Sequence, residues 1–263
     1  HPGAPRGGGP APPPPPPPVS GPISGPDSPP TPAVHRRATL PRAIAIDGPA
    51  AVGKSTVGRA LADRLGYLYF DTGAIYRALT WLALENNVPV SDGPALAQLA
   101  TAHPIIVQPS ADTPDGYRVT AGGRDITDRL RAPAVDAQIS AVSQHAAVRA
   151  ALLDAQRAVA DGTAVVMVGR DIGTIVLPDA GLKIFLEASP IERARRRYRE
   201  RLRRGEIADW SDELASTVAR DARDRGRANA PLVAAPDAIV LHTDELDAAG
   251  VVAAILAHID IGS

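Results

Sequence analysis

The residues Gly48-Pro49-Ala50-Ala51-Val52-Gly53-Lys54-Ser55 follow the spacing G-x-x-x-x-G-K-[ST], and the chemistry that spacing serves is the holding of a polyphosphate. Glycine at both ends lets the backbone wrap until several N–H groups converge on one anion, and a helix opening at Lys54 adds its positive end. The lysine reaches the transferring phosphate as a compact point charge, and the serine hydroxyl is a ligand for Mg2+. Lysine is otherwise almost unused: of 28 basic residues only Lys54 and Lys183 are lysines. A chain that takes arginine elsewhere yet keeps lysine at this spacing points to a need for the ammonium itself. Lys183 begins an apolar strand and reads as a solubiliser at a strand edge.

A phosphate loop leaves open what becomes of the terminal phosphate. A GTPase switch needs N-K-x-D or T-K-x-D to read its base, and no such tetrapeptide occurs. A motor or transport ATPase needs coupling elements for which the chain is short. A small phosphotransferase needs a second anion site facing the first, and arginines at the ends of elements suggest one: Arg77, Arg170, Arg220 and Arg227. Arg170 and Asp171 follow an apolar strand, and ligands of doubly wound sheets collect at the carboxyl ends of strands. From Glu192 to Glu206 eight further arginines crowd one helical stretch. So much like charge cannot be held by its own surface pairs and would gain from a polyanion. A solvated face is one reading, a nucleic-acid surface with Tyr198 as its stacking aromatic a second. A lid that closes over phosphates and excludes water is the third, preferred beside a phosphate loop.

The elements that must position these groups follow from periodicity. Ala43 to Asp47 reads as a buried strand, Lys54 to Leu65 as a helix ended by Gly66, Tyr67 to Asp71 as a second strand, and Thr72 to about Glu85 as a second helix. Between about Val88 and Thr163 the pattern loosens around two short strands, Ile105 to Gln108 and Tyr117 to Thr120, before a helix from about Val135 to Val159. Apolar runs at Ala164 to Val168, Leu182 to Leu186 and Ala238 to His242 complete five core strands. The fold expected is therefore α/β: a doubly wound parallel sheet of about five strands with helices on both faces, an inserted subdomain at about 88–163 and an arginine-rich helical lid at about 190–210. The core is 42–87 and 164–263, and no internal repeat interrupts it.

Composition sets the outer limits. Of 27 prolines, 16 fall within the first 41 residues, so residues 1–41 are expected to be a disordered extension. With 44% hydrophobic and 22% charged residues the remainder of the 263-residue chain can bury a core. A net charge of −1 excludes long-range attraction to nucleic acid or anionic membrane as a whole-chain property. Cysteine is absent, which excludes disulfides, thiol nucleophiles and zinc-thiolate sites. No apolar run approaches a membrane span or a secretory core, so a cytoplasmic setting is expected.

Four segments, IDGPAAVGKST at 46–56, FDTGAIYRAL at 70–79, VGRDIGTIVLPDA at 168–180 and ARDARDRGRANAPLVAAPDAIVL at 219–241, resemble bacterial cytidylate (CMP) kinases, of the P-loop nucleoside monophosphate kinase superfamily. The resemblance runs from about Ala43 to the end and places the insertion as the nucleotide-monophosphate-binding region. It implies transfer of a phosphoryl group from MgATP to CMP or dCMP by a monomer, with ATP and Mg2+ as cofactors and no nucleic acid or membrane partner. It implies ATP contacts from Gly48 through Thr56 and from Arg193, and Ser55 on the metal. Thr72, Tyr76 and Arg77 would border the acceptor, with Arg77 and Arg170 gripping its phosphate. Ser140, Arg149, Asp171 and Arg227 would read cytosine, and Asp224 and Arg220 would meet the ribose and phosphate. Arg196 and Arg197, from the lid, would join Lys54, Arg77 and Arg170 in catalysis. The chain departs from the pattern at Thr72, where relatives often carry Ser, at Ser55, where Gly is common, and in residues 1–41, which have no counterpart. No general base is required, since a monophosphate oxygen is already anionic near neutral pH, and no histidine lies in the motifs. Catalysis is then alignment plus charge neutralisation. The carboxylate of Asp171 suits an acceptor for the cytosine amino group, which uracil lacks.

Overall fold

Alternation within the strands decides which face each helix covers. A computed structural model describes residues 40–227 and 230–259, together with Gly3, so the expectation for residues 1–41 lies almost wholly outside the described residues. The described elements belong to one unit, Ala38–Ser263. β1 (Ala43–Asp47) turns Ile44 and Ile46, both fully buried, onto α1 (Lys54–Leu65) and α8 (Ala248–Leu256). Each such side chain contributes about 1.5–3 kcal/mol by burial. Its other face offers Ala43 and Ala45, small enough to let a single helical turn, Ile172–Val176, cross over the strand, and Asp47, which accepts from the first two amides of that turn.

Five strands run in the order β2-β6-β1-β7-β8 with every pairing parallel. They are β2 (Leu68–Asp71), β6 (Val165–Val168), β7 (Leu182–Glu187) and β8 (Ile239–His242) beside β1. This is the doubly wound sheet expected, with every boundary within one residue of the sequence reading. α2 (Gly73–Glu85) covers the face opposite α1 with Ile75, Leu79 and Leu82. Between α2 and β6 come α3 (Gly93–Ala102), the antiparallel strands β3 (Ile105–Pro109), β4 (Tyr117–Ala121) and β5 (Arg124–Asp125), then α4 (Pro133–Val142) and α5 (Ala146–Ala158).

The helix expected over 135–159 is thus two. The break at Ser143–His145 is held from outside the segment by Val90 O, which meets His145 Nε2 at 2.8 Å, and from within it by Arg149, which donates to Ser143 O at 3.3 Å. It also has a geometric effect. Nine residues of unbroken helix would set Ser140 and Arg149 on opposite faces, whereas the break turns both towards one cleft.

Two further corrections concern charge. Lys183 is no edge solubiliser: β7 lies inside the sheet, the residue is 8% exposed, and its ammonium donates to both oxygens of Asp237 at 2.9 and 2.8 Å. That contact holds the Asp237 carboxyl below its ordinary range. The arginine run, which was expected to lack sufficient pairs, finds them. α6 (Pro190–Arg203) packs against α7 (Trp210–Arg225), and Glu192, Glu200, Glu206, Glu213 and Asp221 between them pair with Arg193, Arg195, Arg196, Arg197, Arg201 and Arg204. Three of these five carboxylates lie outside the helix that carries the arginines, so the local charge count misjudged it.

Candidate active site

Strand β1 ends, the chain turns, and α1 begins within seven residues. Gly48 sits at φ +145° with the place of a Cβ only 2.3 Å from Leu186 O, so no side chain fits there. Gly53 sits at φ +103° and Ala51, unusually for a residue with a Cβ, at φ +59°. A left-handed alanine costs about 1–2 kcal/mol. The wrapped loop leads directly into α1, whose first turn has no side-chain cap, so its amides are left for an anion. Lys54 folds back over the loop and donates to Gly48 O at 2.7 Å and Pro49 O at 2.6 Å. Burial and then the neighbouring Arg170 hold its ammonium well below the ordinary lysine range.

In front of the loop opens a cleft of about 810 Å³. Lys54 and Ser55 stand on its loop side; Thr72, Tyr76 and Arg77 enter from the start of α2; Ser140 and Arg149 from the α4–α5 break; Arg170 and Asp171 from the end of β6; Arg220, Asp224 and Arg227 from α7 and its end. Every residue expected around the acceptor therefore lines one space. Seven basic side chains, Arg223 among them, face the three carboxylates Asp71, Asp171 and Asp224, which suits a dianion.

The cleft is prearranged by pairs among its own residues. Asp224, 4% exposed, accepts from Arg170 Nε at 3.0 Å and also pairs with Arg227, while Arg170 Nη1 reaches Gly48 O at 3.1 Å and ties this corner to the loop. Asp171 pairs with Arg149, whose guanidinium stands 5.5 Å over the Tyr76 ring. Arg77 is held by Asp136 of α4 at 3.1 Å. Thr72 donates to Val168 O at 3.2 Å, fixing the start of α2 against β6. Burial and then Arg170 bring the Arg220 guanidinium down to about 10. Burial also lowers Arg227 and raises the Tyr76 hydroxyl.

The three arginines expected from the lid are not brought into this space. Arg193 is 1% exposed, paired with both oxygens of Asp221 and donating to Ala50 O at 3.2 Å and Ala188 O at 3.0 Å, so it braces the loop from behind. Arg196 donates to Val52 O at 3.1 Å and to Thr243, and Arg197 to Glu213 at 3.0 Å. Of the loop itself, Ala50 and Ala51 face the cleft with Lys54 and Ser55, Pro49 faces a separate cavity, and Thr56 is exposed on α1.

Sequence reasoning passed over Asp47, Asp71, Asp136, Gln144 and Arg223. Asp71 and Asp47 carried a signal, each being a carboxylate that ends an apolar strand. Asp136 and Gln144 carried none, since only the α4–α5 break brings their segment to the cleft.

Comparison with known proteins agrees with the geometry. The cytidylate kinase family model matches residues 44–261. A cytidylate kinase of Pelotomaculum thermopropionicum is 46% identical over 83% of this chain and 96% of its own. One of Herpetosiphon aurantiacus is 48% identical over 85% and 96%, and one of Geobacillus kaustophilus 48% over 81% and 94%.

Proposed function

The chain belongs to the cytidylate kinase family, and we propose that the cleft just described carries out CMP phosphorylation with ATP as donor, accepting dCMP as well. The single observation that supports this assignment is the convergence of a phosphate loop and the Arg170–Asp171 corner on one space.

In this reading the loop amides and Lys54 hold the β- and γ-phosphates of ATP, and arriving phosphate supplies the negative charge that Lys54 now takes from Gly48 O and Pro49 O. The acceptor phosphate lies among Arg77, Arg170 and Arg220. One of its oxygens forms a bond to the γ-phosphorus as the bond to the β–γ bridging oxygen breaks, and ADP leaves. The attacking oxygen is already anionic, so no side chain takes a proton. Asp171 accepts from the cytosine amino group and Arg149 donates to the ring's acceptors, with Ser140 and Arg227 beside them. Asp224 holds Arg170 and Arg227 in place, and the ribose lies near it.

Among the described residues no group of three or more His, Cys, Asp or Glu side chains encloses a metal. The Ser55 hydroxyl, on the cleft wall next to Lys54, is a hard oxygen donor suited to Mg2+ bound chiefly by phosphates and water. When bound, Mg2+ neutralises charge on the phosphoryl oxygens. The insertion at about 88–163 acts as the acceptor-binding region. The α6–α7 hairpin about 190–210 acts as the lid, its arginines reaching ATP only after exchanging their present carboxylates for phosphate. Reading the same stretch as an RNA surface finds no support, because six of the eight arginines between Glu192 and Glu206 are already paired within the chain. No helix among the described residues is long and apolar enough to cross a membrane. An ADP-release assay with MgATP across the common nucleoside monophosphates tests the assignment: CMP and dCMP are expected to exceed UMP, AMP and GMP, and equal rates for all would refute it.

A further inference from the structure

We infer that Asp47 is a positioning residue for acceptor selection: it locks the Arg170–Asp171 corner to the phosphate loop through two backbone hydrogen bonds. This rests on the reading of the cleft as the CMP site and assigns selectivity to a side chain outside it. Asp47 ends β1 immediately before Gly48 and is 5% exposed. Its Oδ1 accepts from Ile172 N at 2.8 Å and its Oδ2 from Gly173 N at 2.7 Å. Those amides open the turn that directly follows Asp171, so the clasp fixes where Asp171 stands beyond the end of β6. Gly173 must lie close for this to work: a Cβ there would stand 3.4 Å from Asp47 Oδ2 and 3.2 Å from the Lys183 stem. The same strand end then serves both substrates, the loop through Gly48 and the acceptor corner through Asp47.

A carboxylate is the side chain of this length that accepts at both ends. Asparagine accepts at one and turns an N–H2 against an amide N–H at the other, and a protonated aspartic acid likewise turns an O–H there. The charged groups facing Asp47 are Lys54 from α1 and Asp171 from the turn, with the Lys183 stem from β7 beyond Gly173 and its ammonium committed to Asp237. Burial, only partly offset by the two amides, pushes the Asp47 carboxyl up to about 6. Its second acceptor is therefore lost on mild acidification.

The experiment measures KM and kcat for CMP, UMP and ATP in the wild type and in Asp47→Asn, with thermal unfolding as a check on folding. The expected result for the variant is a fall in the CMP-to-UMP ratio of kcat/KM of about ten-fold, carried by KM for CMP, with KM for ATP within about two-fold. A folded variant whose ratio is unchanged, or whose kcat falls equally for all acceptors, overturns the inference in favour of a purely structural role. Should the variant fail to fold, the wild type decides. Its CMP-to-UMP ratio is expected to fall between about pH 7.5 and about pH 5.5, since CMP and UMP share the same phosphate ionisation and that effect cancels. A flat ratio overturns the inference, and so does a ratio in a folded Asp47→Asn protein that still falls as in the wild type, because a group other than Asp47 would then set the pH dependence. A wild type that does not prefer CMP at about pH 7.5 overturns the reading of the cleft itself and this inference with it.

Discussion

Replacing Asp171 with asparagine removes one negative charge from the corner where the base is read, while keeping its size. Asp171 is 7% exposed in its side chain and its partner Arg149 10%, and the Arg149 Nε has no acceptor to begin with. Truncating one partner of a fully buried pair costs about 3–5 kcal/mol. This pair borders an open cleft, so the expected loss of stability is smaller, about 1–2 kcal/mol, or roughly 3–6 °C in Tm for a domain of this size. The effect on catalysis is larger and has a direction. A charge-assisted hydrogen bond to the cytosine amino group contributes about 1.5–3 kcal/mol, so kcat/KM for CMP falls about 10- to 150-fold. The asparagine amide can instead donate to the carbonyl that uracil carries at the same ring position, so UMP is phosphorylated at least as well as before. Steady-state kinetics with both acceptors at saturating MgATP, together with a melting curve, measure the two effects separately. A folded variant with an unchanged CMP-to-UMP ratio would refute the assignment of Asp171 as reader, whatever its Tm.

Other substitutions separate the remaining roles. Lys54→Ala is expected to abolish transfer without unfolding the chain, checked by ADP release and circular dichroism; sustained CMP phosphorylation would remove Lys54 from catalysis. Gly48→Ala places a Cβ 2.3 Å from Leu186 O, so a loss of more than about 2 kcal/mol of stability together with lost ATP binding is expected, measured by denaturant melts and calorimetry. The raised Asp47 carboxyl, about 6 against an ordinary 3.8, means that the folded protein keeps a proton the unfolded chain has already released. Stability from this group is therefore lost as pH rises through that window, and the unfolding free energy of the wild type relative to Asp47→Asn should fall by up to about 3 kcal/mol between about pH 4 and about pH 7.

The sheet and the phosphate loop could be read from the chain because their signals are local. Apolar alternation, Gly48 and Gly53 at fixed spacing and a helix ended by Gly66 need no knowledge of distant residues. Arg77, Arg170, Asp171, Arg220 and Arg227 could be read from their places at the ends of elements, the other acceptor residues were placed by resemblance, and the cleft gathers all ten of them. What escaped was decided by partners far along the chain. The break before His145 depends on Val90, the burial of Arg193 on Asp221, and the role of Asp47 on amides 125 and 126 positions away. Lys183 was misread because a strand's place in the sheet, interior or edge, is a property of the sheet order β2-β6-β1-β7-β8 and not of the strand.

Binding of a bisubstrate analogue, adenosine and cytidine joined through a polyphosphate chain, tests most directly whether a single cleft receives both nucleotides end to end. One molecule per chain, competitive with ATP and with CMP alike and lost in Lys54→Ala, is the result predicted. Competition with one nucleotide but not with the other would contradict it.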